Sequence, residues 1–149
     1  MARKSENEMH VMNLLGHTLD ILREDLPDRG KKLLIVDDDR YLREATGLFL
    51  SENGYACTTV EDALKAITRL ENDRFDLVIT DLHMPKMDGM ALLSWIKRRQ
   101  PTTKVMMMTG DTDVEHKCTA MSQGAINYLV KPFNLAEFLQ EVEGCLTTH

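Results

Sequence analysis

From Lys31 onward, short apolar runs alternate with amphipathic stretches, and the alternation repeats five times. This strand–helix rhythm is the signature of a parallel sheet with helices on both faces. Strands are expected at Leu33–Val36 (LLIV), Ala56–Val60 (ACTTV), Leu77–Thr80 (LVIT), Val105–Thr109 (VMMMT) and Ile126–Val130 (INYLV). The first, third and fourth are continuously apolar, as strands covered on both faces must be. The second is more polar, which fits a sheet edge.

Helical spacing fills the intervals. Tyr41, Leu42, Ala45, Leu48 and Phe49 form one stripe, stopped by Asn53-Gly54, a normal helix C-terminal signal. Ala63, Leu64, Ile67 and Leu70 form the second. Met90, Leu92, Leu93 and Ile96 form the third, closed by Lys97, Arg98 and Arg99, which suit the negative end of the helix dipole, and by Pro101. Val114–Gln123, closed by Gly124, is the fourth, with a weak apolar face. The fifth starts at Asn134 as N-cap and carries Leu135, Phe138, Leu139, Val142 and Leu146. Asp39 and Asp88 each precede a helix and read as caps. Met106, Met107 and Met108 alternate between the faces of one strand and read as core filling.

Residues 1–30 precede this pattern and contain no strand; the α/β unit is expected at 31–149. Met12, Leu15, Leu19, Leu22 and Leu26 are spaced alternately three and four apart, an a/d seam that Pro27 ends. Two readings fit the seam: an amphipathic helix packed on its own domain, or a short coiled coil that makes a homodimer.

At 149 residues, 43% of them hydrophobic, the chain is one domain's worth and can build a core without staples. Its three cysteines, Cys57, Cys118 and Cys145, are far apart and form no metal motif, so buried, reduced thiols are expected. A formal net charge of −6 disfavours direct contact with nucleic acid. No apolar run approaches the ~18 residues of a membrane span, and the N-terminus lacks an apolar signal core. A cytoplasmic protein without membrane insertion is expected.

The chemistry is marked by where polar residues interrupt the apolar runs. The first strand runs into Asp37, Asp38 and Asp39; the third into Asp81; the fourth ends at Thr109-Gly110; the fifth runs into Lys131-Pro132. In an open parallel sheet all carboxyl ends share one edge, and the ligand crevice lies outside it. Carboxylates, a hydroxyl and an ammonium therefore converge. Clustered carboxylates repel unless a cation compensates them, and an all-oxygen donor set suits Mg²⁺ better than zinc. Such a site has the parts to move a phosphoryl group onto a carboxylate, with Asp81 as the nucleophile.

The segments LLIVDDDR, VITDLHMPKMDG, MMMTGD and YLVKPF, in this order and each at a strand end, resemble the receiver domain of two-component response regulators, in particular the chemotaxis-type single-domain receivers. The resemblance spans Lys31 to about Thr147. It implies a flavodoxin-like sheet of order 2-1-3-4-5 with five helices, to which the N-terminal helix would be an addition. It implies that Asp81 accepts a phosphoryl group from a phosphohistidine on a sensor histidine kinase or phosphotransfer protein. Asp38 and Asp81 would hold Mg²⁺ directly with the backbone carbonyl of His83, and Asp37 through water. Lys131 would bind a phosphoryl oxygen, with the following peptide bond to Pro132 cis. Thr109 would turn to the phosphoryl group while Tyr128 swings inward, changing a downstream-partner surface on the fourth helix, fifth strand and fifth helix. The implied protein is a phosphoacceptor switch with only self-directed phosphotransfer and autodephosphorylation.

Two other classes compete with this reading. An aspartate-nucleophile phosphatase of the haloacid dehalogenase type needs a second aspartate two residues after the first, where this chain has His83. A phosphate-blind scaffold using the leucine seam gives no reason for the three aspartates, Thr109 and Lys131. The resemblance implies that His83 and Gly110 would flank the route of an attacking water, where His83 would either bond the phosphoryl group or block that water. His10, His17, His116 and His149 show no carboxylate or cysteine at ligand spacing, so no role is expected for them.

Overall fold

The computed structural model describes residues 29–147. The seam from Met12 to Leu26, together with His10, His17 and His149, lies outside the described residues. Five strands, β1 (Lys32–Val36), β2 (Ala56–Val60), β3 (Leu77–Thr80), β4 (Lys104–Thr109) and β5 (Asn127–Val130), alternate with five helices, α1 (Arg40–Glu52), α2 (Ala63–Asn72), α3 (Gly89–Arg99), α4 (Val114–Ser122) and α5 (Leu135–Thr147). The strands form one parallel sheet of order β2-β1-β3-β4-β5. The polar β2 is an edge, and the apolar β1, β3 and β4 fill the centre. Among the described residues no helix is long and apolar enough to cross a membrane.

Strand alternation divides the core in two. Leu34, Val36, Val78, Val105 and Met107 face α2, α3 and α4, where they meet Ala66, Leu70, Leu92, Leu93, Ile96 and Ala120. Leu33, Ile35, Leu77, Ile79, Met106 and Met108 face α1 and α5, where they meet Leu50, Phe138, Val142 and Cys145. The methionine run thus splits between the two cores, as period-two alternation requires.

Asp39, Asp62, Asp88 and Asp113 cap α1 to α4, each carboxylate accepting a backbone N–H of the first turn. Asn134 does the same for α5 through the Glu137 N–H at 2.7 Å. Each cap contributes ~1 kcal/mol.

The inward faces of three helices differ from the apolar stripes. In α1 the buried residues are Thr46, Gly47 and Leu50, while Tyr41 is 88% exposed and Ala45 and Leu48 also face out. Thr46 can turn inward because its hydroxyl bonds the Leu42 carbonyl at 2.6 Å. Gly47 lies so close to the sheet that a Cβ there would meet Thr59 Cγ2 at 2.7 Å. In α2, Ala66 is buried and Leu64 exposed, and in α5 Leu135 is exposed. The sheet admits small residues where the helix axis comes close. The fourth helix does have a weak apolar face, burying only Ala120. For the same reason Cys118, on that helix, is exposed, which corrects the expectation of three buried thiols; Cys57 is half-buried and Cys145 buried. Burial pushes the Cys145 thiol up to about 11.

Candidate functional site

Strand register brings the site together. Val36 is level with Val60 and Thr80, Thr80 with Met107, and Thr109 with Val130. Continuing backbone bonds carry the alignment past the strand ends: Asp37 N–H to Val60 O, Asp81 N–H to Val36 O, and Lys131 N–H to Thr109 O at 2.8 Å. Asp37, Asp81, Thr109 and Lys131 therefore emerge at one edge.

Lys131 Nζ donates to Asp37 Oδ2 at 2.8 Å and to Asp81 Oδ2 at 2.9 Å. Asp37 is fully buried and Asp81 nearly so. The Asp37 Oδ1 atom accepts the Asp39 N–H at 2.9 Å, and Asp81 Oδ1 accepts the His83 N–H at 3.1 Å. Asp38, the next residue after Asp37, is exposed. One oxygen from each of Asp37, Asp38 and Asp81 lies within 4.8 Å of the others. Burial raises the Asp37 carboxyl above its ordinary value, against the pull of Lys131. Burial draws Lys131 down, but its hydrogen bonds to Asp37 and Asp81 outweigh that and leave it above the usual lysine value. The ammonium is charged at neutral pH and partly compensates the carboxylates. The donor set is entirely carboxylate oxygen, clustered and open to solvent on the Asp38 side, so the residues fit Mg²⁺. The Lys131–Pro132 peptide is cis.

Thr109 is buried, and its Oγ1 accepts the Asp111 N–H at 3.2 Å. Tyr128 is also buried and donates its hydroxyl to the Asp111 carbonyl at 2.8 Å. Burial and then the charges of Asp111, Asp113 and Asp81 raise the Tyr128 phenol, which stays protonated at neutral pH.

Five residues near the pocket carry contacts not anticipated from the sequence. Arg43 Nη1 donates to the Asp37 carbonyl at 2.8 Å. Gly89, at the start of α3, packs on the phosphoacceptor candidate itself: a Cβ there would sit 2.2 Å from the Asp81 carbonyl oxygen. Its N–H donates to Leu82 O at 2.8 Å. Asp111 and His116 form a pair, with His116 Nδ1 2.7 Å from Asp111 Oδ2, and His83 Nε2 contacts the same oxygen. This corrects the expectation that His116 has no carboxylate partner. The turn after β4 curls Asp111 back onto α4, and no simple spacing signals that. The Asp-Gly pair at Asp88-Gly89 was the one available hint for Gly89.

The doubly wound sheet with a lysine-bridged aspartate pair at its carboxyl edge defines a flavodoxin-like α/β protein of the receiver class. The family described as response regulator receiver domain matches residues 33–143. The chain is 37% identical over 113 residues to the DNA-binding transcriptional regulator NtrC of Escherichia coli (strain K12), covering 76% of this chain and 24% of that protein. It is 43% identical over 111 residues to the response regulator protein FleR of Pseudomonas aeruginosa, covering 74% and 24%. It thus spans about a quarter of the length of these relatives. Among solved structures, the CheY-like receiver domain protein of Methanospirillum hungatei JF-1 superposes with a TM-score of 0.75 at 31% identity, covering 78% of this chain and 93% of that one. Chemotaxis protein CheY4 of Vibrio cholerae gives 0.74 at 31% identity, covering 78% and 98%. The chain belongs to the response regulator receiver domain family. Phosphorylation-based switching is the standard function of that family, whose receivers generally bind Mg²⁺ and interact with histidine kinases and effector domains.

Proposed function

We propose that residues 31–149 are a receiver unit whose phosphoacceptor is Asp81, and that the protein is a cytoplasmic phosphoacceptor switch with no catalysis beyond its own phosphorylation and dephosphorylation. The observation that carries this is the Lys131 ammonium held between the Asp37 and Asp81 carboxylates, with Asp38 beside them. An Asp81 oxygen forms a P–O bond as the P–N bond of a kinase or phosphotransfer-protein phosphohistidine breaks. The electron pair returns to the imidazole, which leaves neutral once protonated. Asp38 and Asp81 with the His83 carbonyl would hold Mg²⁺, and Asp37 through water. When bound, Mg²⁺ supplies a Lewis acid that offsets charge on the phosphoryl oxygens. Lys131 turns from the carboxylates to a phosphoryl oxygen, and Thr109 offers its hydroxyl to another by giving up the Asp111 N–H.

Asp111 touches both Thr109 and Tyr128 through its backbone, which supports those two residues as the coupled switch. The surface altered is that of α4, β5 and α5. The small buried fraction of α4 suits an element that shifts at low cost. Output runs through a protein partner on that face, with a homodimer through the leucine seam as a further route. The net charge of −6 favours a protein over nucleic acid as that partner.

Intact mass after brief incubation with acetyl phosphate tests the reading. One phosphoryl group is expected, dependent on Mg²⁺ and absent in Asp81→Asn. A gain that persists in Asp81→Asn, or no gain from either acetyl phosphate or a phosphorylated histidine kinase, would overturn it.

A further inference from the structure

A second group of donor side chains lies outside the carboxylate cluster of Asp37, Asp38 and Asp81. His83 belongs to the loop after β3, Asp111 to the loop after β4, and His116 to the first turn of α4. His83 Nε2 and His116 Nδ1 converge on one oxygen, Asp111 Oδ2. Their rings meet edge-on with centroids 5.9 Å apart. One donor atom from each of the three residues lies within 4.8 Å of the other two.

Asp111 is fixed for this task. Its Oδ1 accepts the Asp113 N–H at 2.8 Å, which turns Oδ2 toward the rings. Its N–H is bonded to Thr109 and its carbonyl to Tyr128. The contact with His83, followed by the Asp113 N–H, draws its carboxyl down to about 2, so it is fully ionised at neutral pH. The side chains of His83 and His116 are 63% and 50% exposed, which leaves the group open to an ion from solvent.

We propose that His83, Asp111 and His116 bind a divalent transition-metal ion of the zinc class, at a site separate from the all-oxygen pocket. Two imidazole nitrogens and one carboxylate oxygen make a borderline-soft set, and three protein ligands with an open fourth position is a composition zinc adopts. The neighbouring carboxylate cluster presents only hard oxygens and selects Mg²⁺ instead. The two metals are thus sorted by donor chemistry across adjacent loops. Each ring must offer a lone pair to the ion, so binding shifts a ring proton to the other nitrogen or releases it, and affinity rises from acidic to neutral pH. The bound ion clasps the loop after β3 to the loop after β4. Because Asp111 bonds both Thr109 and Tyr128, the clasp also holds the backbone those two residues touch.

The site is read without phosphorylation, so its test is independent of the phosphoacceptor assignment. The full chain, stripped with chelator and kept in saturating Mg²⁺, is titrated with Zn²⁺ against a competing chromophoric chelator, and its melting temperature is followed in parallel. One Zn²⁺ per chain is expected, with affinity reduced tenfold or more in both His83→Ala and His116→Ala and unchanged in Asp38→Asn. Zn²⁺ should raise the melting temperature of the unaltered protein and leave that of His116→Ala where it was. Both histidines are exposed, and matching far-UV circular dichroism checks that the variants fold. Absence of Zn²⁺ binding, binding indifferent to either histidine, or binding abolished by Asp38→Asn would overturn the proposal.

Discussion

Burying a carboxylate beside another is unfavourable, and Asp37, fully buried next to Asp81, is relieved by Lys131 and by the Asp39 N–H. Its raised folded-state value means that the folded protein holds this proton to higher pH than the unfolded chain does. Stability from this group therefore falls as pH rises from 3.8 through the raised value, and the cost is complete above it. Asp37→Asn is expected to be more stable by about 1 kcal/mol at pH ~7 without Mg²⁺, with no advantage below the ordinary aspartate range, as urea titrations at the two pH values would show. Lys131→Ala should do the reverse, costing about 2 kcal/mol because two carboxylates lose a charged donor. His116 responds in the same direction over a higher pH range. Its hydrogen bond to Asp111 raises the imidazole above 6.5, so the pair's contribution is full below that value and fades as pH rises through the raised one. In chelator-treated protein, NMR titration should find His116 above 6.5 and Asp111→Asn should return it toward the ordinary histidine range. Asp37, Asp38, Asp81, Thr109 and Lys131 were legible because each interrupts or follows an apolar run. The Asp111 cluster was not, since His83 reaches it from a different loop through the sheet order.

At the scale of elements, strand positions were read to within a residue, because both-face burial leaves an unbroken apolar run in β1, β3 and β4. Helix faces were read less well. Tyr41, Leu48 and Leu64 are apolar yet exposed, while Thr46, Gly47 and Ala66 are buried. Hydrophobicity alone does not report how closely a helix lies on its sheet, and at the closest approach size decides. Gly89 is the sharpest case, since a side chain there collides with the Asp81 and Leu82 backbone. Gly89→Ala is expected to cost about 2 kcal/mol by overpacking and to slow Asp81 phosphorylation. Gly144, inside α5 with nothing within 4 Å of its added Cβ, is the contrast. There the same substitution should add about 0.8 kcal/mol through helix propensity alone, measured by urea unfolding.

For the whole molecule, stability is divided between two cores that share one sheet. Phe138, fully buried, stacks on Phe133 with centroids 5.2 Å apart and also meets Phe49, so it joins α5 to α1 beneath the sheet. Phe138→Ala should cost about 4 kcal/mol, and a single unfolding transition seen by both fluorescence and circular dichroism would show that the two cores melt together. The sheet order itself follows from the polar β2 at one edge and from crossover connections through helices. Lys131 comes after the last strand, yet it bonds residues that follow the first and third. During synthesis the chain therefore makes its acidic groove early and the counter-ion for that groove late. A nascent chain halted before Val130 exposes Asp37 and Asp81 with no ammonium between them. The completed pocket is thus a marker that β5 has docked, and a ribosome-bound fragment ending there would lack the means to compensate its own carboxylates.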